Sequence, residues 1–284
     1  MNASRESSGG GGRRSGLRRR GGDSGYDDAA RFEEAYRVVR SNLLVSLADF
    51  KRPRVIITSA NAGEGKTVTC ANLAVSFARA GQRVVLVDLD LRHPDAHRLV
   101  GAHNRYGVCD LLSGRRSLED CLQYLQLPGL DAQSAQGVYF IGTGPPVRNP
   151  TELLGTNRTA MMLDELGKQA DLILIDAPPV LPVADMLVIG RIVTGVILVV
   201  EARRTTVTDI SKTKDLLTRN QTRILGVVLN KMRQRDGSYG DAYGYGTPYP
   251  ADDASLHVAA PVSKNGKVAD GASRRPIKTE ASEQ

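Results

Sequence analysis

The chain has 284 residues, a net charge of +7 and 41% hydrophobic residues, enough for one large domain or two small ones. It shows no basic stripe with interleaved aromatic residues, so nucleic-acid binding is not expected. Cys70, Cys109 and Cys121 form no CxxC pair, which fits a reducing compartment and argues against a cysteine metal site.

The first segment, 1–28, consists mostly of Gly, Ser, Arg and Asp. Such a composition cannot offset its ordering entropy, so we expect a disordered Arg/Gly-rich segment, followed by one folded domain over 29–232. The arginines between Arg13 and Arg20 are either a solvated run or a patch attracted to an anionic membrane. No signal peptide is visible, and the longest apolar run, Ile192–Val200, is shorter than the ~20 residues of a membrane span. We therefore expect a soluble cytoplasmic protein.

An amphipathic helix is predicted over 31–48 from apolar residues at helical spacing. Within it, Glu34, Arg37 and Arg40 follow one another at intervals of three. At about 100° per residue they share one helix face. This face is either a surface with a local Glu–Arg pair or an interaction surface.

A phosphate-binding loop follows the predicted strand Arg54–Ser59 and precedes a helix predicted over Thr67–Ala80. Its motif is Ala60-x-x-x-x-Gly65-Lys66-Thr67. Backbone N–H groups of such loops bind phosphates, aided by the partial positive charge at the helix N-terminus. The lysine ammonium contacts the β- and γ-phosphate oxygens, and the threonine hydroxyl binds Mg²⁺. Ala60 replaces the usual first glycine, which is tolerable where φ is negative. Nucleotide contacts are expected from Ala62, Gly63, Glu64, Gly65, Lys66, Thr67 and Val68.

Two further strands end in carboxylates. Val84–Val87 leads into Asp88 and Asp90, and Leu172–Ile175 leads into Asp176 and a double proline. Ligands bind at the carboxyl edge of open α/β sheets, so these aspartates are candidates for one metal-phosphate site. The alternative is that each is an ordinary polar residue at a strand end.

The remaining elements complete an α/β fold. Continuous apolar runs indicate strands that are covered on both faces, and they alternate with helical stretches. We therefore predict a P-loop NTPase with a mostly parallel sheet sandwiched by helices and disordered ends. The other strands are predicted at Val138–Ile141, Val196–Val200 and Ile224–Leu229, and the other helices at 117–125, 151–169 and 205–219.

The C-terminal segment 233–284 is predicted to be a flexible tail with a tyrosine cluster. Four of the nine tyrosines of the chain lie within eleven residues, among Gly, Asp and Pro, where no core period exists. They are either aromatic contacts of a disordered tail or phosphate acceptors. The four are Tyr239, Tyr243, Tyr245 and Tyr249.

Together these motifs resemble the bacterial tyrosine kinases of capsular and exopolysaccharide synthesis, the BY-kinase family, in its unfused cytoplasmic form. The Walker A, A′ and B motifs of that family resemble the stretches SANAGEGKT, VDLDLR and LIDAPP of this chain. The ring-forming motif of the family resembles EAYRVVR, and a further family signature resembles NPTELL. The likeness covers roughly residues 30–250. The sequence departs from the family at Ala60 and Ala62, at Thr194 and in its short tyrosine cluster.

The resemblance implies a role for each matching residue. Lys66 and Thr67 would bind ATP and Mg²⁺, Asp90 and Asp176 would hold Mg²⁺, and Asp88 would be the base that orients the tyrosine hydroxyl. Asn230 would contact adenine. The four tail tyrosines would be phosphorylated between subunits of a ring that assembles through Glu34, Arg37 and Arg40.

The resemblance also implies a separate membrane-spanning activator of the polysaccharide co-polymerase kind, which would recruit the kinase to the inner face of the membrane. Three other readings of the motifs remain open. The first is a MinD/ParA-like ATPase switch, although such proteins usually carry a second lysine where this chain has Asn61. The second is an ATP-binding regulatory subunit without transferase activity, and the third, a metal-cluster carrier, is disfavoured by the absent CxxC.

Overall fold

The computed structural model describes residues 24–127 and 137–232. Its strands are β1 (Arg54–Ser59), β2 (Val84–Asp88), β3 (Gln123–Leu125), β4 (Val138–Ile141), β5 (Leu172–Asp176), β6 (Gly195–Glu201) and β7 (Ile224–Asn230). They form one sheet in the order β3-β4-β2-β5-β1-β6-β7. Every pairing is parallel except that of β3 with β4. The predicted fold class is confirmed.

Helices cover both faces of the sheet. They are α1 (Ser24–Leu47), α2 (Lys66–Arg79), α3 (Ala96–Leu99), α4 (Val108–Leu112), α5 (Leu118–Cys121), α6 (Pro150–Leu154), α7 (Asn157–Gln169), α8 (Asp185–Ile189) and α9 (Val207–Arg219), with a 3₁₀ turn at Gly190–Ile192. Alternate residues of β1 enter opposite cores: Val55 and Ile57 pack beneath α1 and α2, whereas Ile56 packs beneath α7 and α8. This double burial is the reason that the central strands β1, β2, β5 and β6 are largely apolar, whereas the edge strand β7 is partly exposed at Val227 and Leu229.

The first helix begins at Ser24, earlier than the predicted residue 31 and within the segment 1–28 that was expected to be disordered. Ala29 and Ala30 favour continuation of the helix toward its N-terminus because alanine has the highest helix propensity. The rest of that segment, 1–23, and the tail 233–284 lie outside the described residues.

Two predicted helices differ in the structure. The helix expected over 117–125 ends at Cys121, and the chain continues as β3, paired antiparallel with β4. The helix expected over 151–169 is two helices, α6 and α7, separated at Gly155 and Thr156. Gly155 ends the first helix and Thr156 precedes the second in an extended conformation, which breaks the helix between them.

Candidate active site

The phosphate-binding loop leaves the C-terminal end of β1 and enters α2. Gly63 and Gly65 adopt left-handed backbone angles, with φ of 82° and 95°, which glycine tolerates without a Cβ penalty. Ala60 is not among the non-glycine residues with positive φ, so alanine fits the first position of the loop. The local geometry is therefore that of a glycine turn before a helix N-terminus.

Glu64 anchors the loop from within. Its side chain is buried; Oε2 accepts a hydrogen bond from the Ala60 N–H at 3.0 Å, and Oε1 accepts one from the Thr205 hydroxyl at 2.7 Å. Thr205 in turn accepts from the Glu201 N–H at 2.9 Å, which ties the loop to the end of β6. The carboxylate of Glu64 thus holds the loop in place, and the predicted nucleotide contact of this residue is left to its backbone N–H.

Lys66 lies among carboxylates from two neighbouring strands. Its ammonium donates to Asp90 Oδ2 at 2.8 Å and stands 3.8 Å from Asp176 Oδ1. Thr67 Oγ1 lies 3.3 Å from Lys66 Nζ. Asp88 and Asp176 are register partners at the ends of β2 and β5, so the parallel pairing brings them together. The structure thus gathers the predicted catalytic and metal-binding side chains at one edge of the sheet.

The electrostatics of this cluster reflect its burial. Burial raises the pKa of Asp176 to about 6, against opposing effects of the Lys66 ammonium and the Thr67 hydroxyl. Burial and the charge of Asp176 raise the pKa of Asp88 well above its usual range. Although burial disfavours the ammonium, the carboxylates of Asp176, Asp90 and Asp88 raise the pKa of Lys66.

Two oxygens in this cluster have no hydrogen-bond partner. Asp88 Oδ2 and Asp176 Oδ1 are both buried and unsatisfied, whereas Asp88 Oδ1 accepts from the Asp90 N–H at 3.0 Å. Unsatisfied buried carboxylate oxygens are costly unless a cation or donor reaches them. Carboxylate and hydroxyl oxygens are the ligands that Mg²⁺ prefers. The residues therefore fit a magnesium-bound nucleotide.

The protein alone does not supply a full metal shell. Within 24–127 and 137–232, no group of three or more His, Cys, Asp or Glu residues is arranged to hold a metal ion. Mg²⁺ usually binds through one or two carboxylates, several waters and substrate phosphates. A magnesium ion at this site would thus depend on phosphate oxygens for the rest of its ligands.

Arg92 fixes the loop that follows Asp90. Its guanidinium donates to both carboxylate oxygens of the fully buried Asp185, at 2.8 and 3.0 Å. The Thr151 hydroxyl, in the NPTELL segment, bonds to the same carboxylate. These hydrogen bonds join the loop after β2 to α6 and α8. The sequence did not predict a role for Arg92 or for Asp185.

Asn230 lies beside the phosphate-binding loop at the end of β7. Its side-chain amide donates to the Glu64 carbonyl at 3.0 Å. The following residue, Lys231, donates to the Gly63 carbonyl at 2.7 Å and to Glu201 Oε2 at 3.0 Å. The family resemblance implied an adenine contact for Asn230, which stays a prediction, and assigned nothing to Lys231. The signal for Lys231 was its place directly after a strand that ends at the ligand-binding edge of the sheet.

The proposed ring residues divide between two environments. Arg37 is exposed and pairs with Glu34 at 3.2 Å. Arg40 points instead toward α2, where it donates to the Ser76 carbonyl at 2.7 Å and to its hydroxyl at 3.2 Å. The four predicted phosphoacceptors, from Tyr239 to Tyr249, lie outside the described residues.

A membrane-spanning segment was not expected, and among the described residues no helix combines the length and the apolar character needed to cross a bilayer.

A family model and curated relatives match most of this chain. The family model described as "ParA: NUBPL iron-transfer P-loop NTPase" matches residues 52–241. Among curated relatives, the putative tyrosine-protein kinase CapB of Staphylococcus aureus is 33% identical, over 74% of this chain and 90% of that protein. The tyrosine-protein kinase YwqD of Bacillus subtilis is 34% identical, over 73% of this chain and 84% of that protein.

Solved structures of a tyrosine kinase domain and of other proteins also superpose on this chain. The kinase domain of the Escherichia coli tyrosine kinase ETK superposes with a TM-score of 0.67 and 29% identity, covering 72% of this chain and 78% of that one. The chimerical protein CapA2B2 gives 0.62 and 30%, covering 69% and 83%. MinD of Pyrococcus horikoshii, complexed with Mg-ADP, gives 0.53 and 25%, covering 74% and 78%. The chain is therefore a nucleotide-binding P-loop NTPase of the ParA type and belongs to the family of bacterial tyrosine-protein kinases.

Proposed function

We propose that this chain is an ATP-dependent protein-tyrosine autokinase that regulates capsular or exopolysaccharide synthesis and export. The observation that carries the proposal is the convergence of Lys66 and Thr67 with Asp88, Asp90 and Asp176, in a chain whose relatives are named tyrosine-protein kinases. Phosphoryl transfer depends on positioning and charge stabilisation, which such a cluster supplies.

The roles of the residues follow from their positions. The amides of the glycine turn and the Lys66 ammonium would hold the phosphates of ATP. Thr67, Asp90 and Asp176 would hold Mg²⁺, directly or through water, and the ion would neutralise phosphate charge during transfer. Asp88 would orient the acceptor, because its buried Oδ2 is free to accept a hydrogen bond from a hydroxyl group.

In the transfer step, the phenolic oxygen of a tail tyrosine forms a bond to the γ-phosphorus while the bond from the γ-phosphorus to the β–γ bridging oxygen breaks. The phenolic proton passes to Asp88, and ADP leaves with the bridging oxygen. Asp88 then releases the proton to solvent, so the products are phosphotyrosine, ADP and a proton, and atoms and charge balance without a further reactant.

The acceptor would come from another copy of the chain. From Asn230 to Tyr239 the chain spans at most about 30 Å when extended, which allows it to reach a neighbouring site. Assembly through Glu34, Arg37 and Arg40 would supply that neighbour at high effective concentration. Each phosphate adds about −1.5 to −2 charges at neutral pH, so repulsion among modified tails would loosen the assembly.

A separate membrane protein is proposed as the activator. It would recruit the kinase to the inner face of the cell membrane from the cytoplasm and complete the site near the nucleotide. The existence of a chimerical CapA2B2 protein among the solved relatives supports a second protein component. Full activity of the purified chain without any partner would contradict this part of the proposal.

The alternative function is a MinD/ParA-like ATPase switch without kinase activity. The ParA-type family model and the similarity to MinD favour it, because both reflect the shared nucleotide site. Asn61 stands where such switches usually carry a second lysine, which weakens this alternative. The iron-transfer description of the family model finds no support in the cysteines, since Cys70, Cys109 and Cys121 are buried and form no CxxC.

The experiment is an anti-phosphotyrosine blot after incubation with Mg-ATP, with and without a candidate membrane activator. Lys66→Met should abolish the signal because it removes the phosphate-binding cation. A variant with Phe at positions 239, 243, 245 and 249 should also lose the signal while it keeps ATP binding. ATP hydrolysis without phosphotyrosine under every condition would favour the switch.

A further inference from the structure

Two consecutive residues at the end of β7 hold two consecutive carbonyls of the phosphate-binding loop. The Asn230 amide donates to the Glu64 carbonyl at 3.0 Å, and the Lys231 ammonium donates to the Gly63 carbonyl at 2.7 Å. Lys231 is itself held by Glu201 Oε2 at 3.0 Å, so the ammonium bridges the loop and the end of β6.

The orientation of these carbonyls fixes the N–H groups that follow them. In a trans peptide the C=O and the next N–H point in opposite directions. Binding the Gly63 and Glu64 carbonyls on the β7 side therefore turns the N–H groups of Glu64 and Gly65 to the other side of the loop. Among the described residues neither N–H has a hydrogen-bond acceptor, so both are available to an anion.

The backbone around these contacts is unusual in two ways. Lys231 has a φ of 57°, a left-handed conformation that is uncommon for residues other than glycine. Asn230 Nδ2 would lie 2.1 Å from a Cβ at position 65, so Gly65 is required for the amide to approach the loop this closely. Strained backbone persists where surrounding contacts hold it, and it often accompanies function.

We propose that Asn230 and Lys231 are positioning residues that orient the phosphate-binding amides of Glu64 and Gly65. This role is distinct from the adenine contact that the family resemblance implies for Asn230, because it acts through the hydrogen bond of the amide to the Glu64 carbonyl. The inference rests on the proposed binding of ATP but is independent of transfer to tyrosine.

The test compares a ligand that has phosphates with one that has none. Affinities for ADP with Mg²⁺ and for adenosine are measured by competition with a fluorescent nucleotide, for wild type, Lys231→Met, Lys231→Gly and Asn230→Ala. Lys231→Gly removes the ammonium while it accepts the left-handed backbone, so it guards against misfolding of Lys231→Met. Lys214→Met, which changes an exposed lysine of α9, is the matched control.

Loss of the hydrogen bond from a charged donor should weaken ADP binding by about tenfold in both Lys231 variants, with adenosine affinity unchanged. Asn230→Ala should likewise affect ADP alone, and Lys231→Arg should recover most of the affinity. The inference is wrong if the Lys231 variants bind ADP as tightly as Lys214→Met does. It is also wrong if they lose affinity for adenosine and for ADP to the same extent. If wild type itself binds no ADP, the proposed function fails instead.

Discussion

At the scale of single residues, Glu64 has a structural role in anchoring the phosphate-binding loop that the loop motif does not predict. The sequence places it among the nucleotide contacts, yet its buried carboxylate binds the Ala60 N–H and the Thr205 hydroxyl. No local pattern reveals this, because Thr205 is distant in sequence and reaches the loop only once β6 and β1 are paired. The glycines and Lys66, by contrast, were predictable since the loop chemistry is local.

Replacing Glu64 with Ala should lower the free energy of unfolding. The buried Ala60 N–H and the half-buried Thr205 hydroxyl would lose their acceptor, at a cost of roughly 1–3 kcal/mol. Urea denaturation measures the change, and Glu165→Ala, which alters an exposed ion pair on α7, serves as control. Equal stability of the two variants would show that Glu64 does not anchor the loop.

The three cysteines should resist alkylation in the native protein. Burial raises the pKa of Cys109 to about 11 and that of Cys121 to about 12, and it also raises the pKa of Cys70 well above its ordinary value. At about pH 8 these thiols are almost entirely protonated, and the thiolate is the reactive form. A thiol reagent should label all three in guanidinium chloride and none without it; rapid labelling of a native cysteine would contradict their placement.

At the scale of elements, long apolar strands were predictable, whereas β3 was not. The short stretch Gln123–Leu125 is a strand because of distant contacts. Gln123 accepts a hydrogen bond from the His103 N–H at 3.0 Å and donates to its carbonyl at 2.9 Å, and Tyr124 packs edge-on against Tyr139 of β4. The break between α6 and α7 did carry a local signal, since Gly155 and Thr156 suit a helix end and a new start.

The first helix carries a prediction about assembly. Changing Arg37 and Arg40 to Ala should reduce both oligomerisation and tyrosine autophosphorylation, if this helix forms the ring contact. Arg40 also bonds to Ser76 within the subunit, so the single variant Arg37→Ala, which keeps that contact, separates assembly from stability. Analytical ultracentrifugation and thermal unfolding report the two effects.

Lys168→Ala, which removes an exposed cation on α7, is the control for charge. If the double variant assembles and autophosphorylates like wild type, the ring step must be abandoned.

At the scale of the whole molecule, the order of the strands creates the site. β5 lies between β1 and β2, so the loop after β1 and the carboxylates at the C-terminal ends of β2 and β5 meet at one edge of the sheet. The sequence predicted that the aspartates would lie at this edge, but strand order and the register of Asp88 with Asp176 depend on long-range pairing. The link from Asn230 and Lys231 to the loop likewise exists only once β7 has joined the sheet.

The most direct test of the account mixes two inactive proteins. One is Lys66→Met, with its tail tyrosines intact; the other has an intact site but Phe at the four tail positions. Incubated with Mg-ATP, and with the activator if wild type requires it, neither should gain phosphotyrosine alone, and the mixture should gain it on the Lys66→Met chain. A mixture that stays unmodified while wild type becomes phosphorylated would contradict transfer from this nucleotide site to the tail of another subunit.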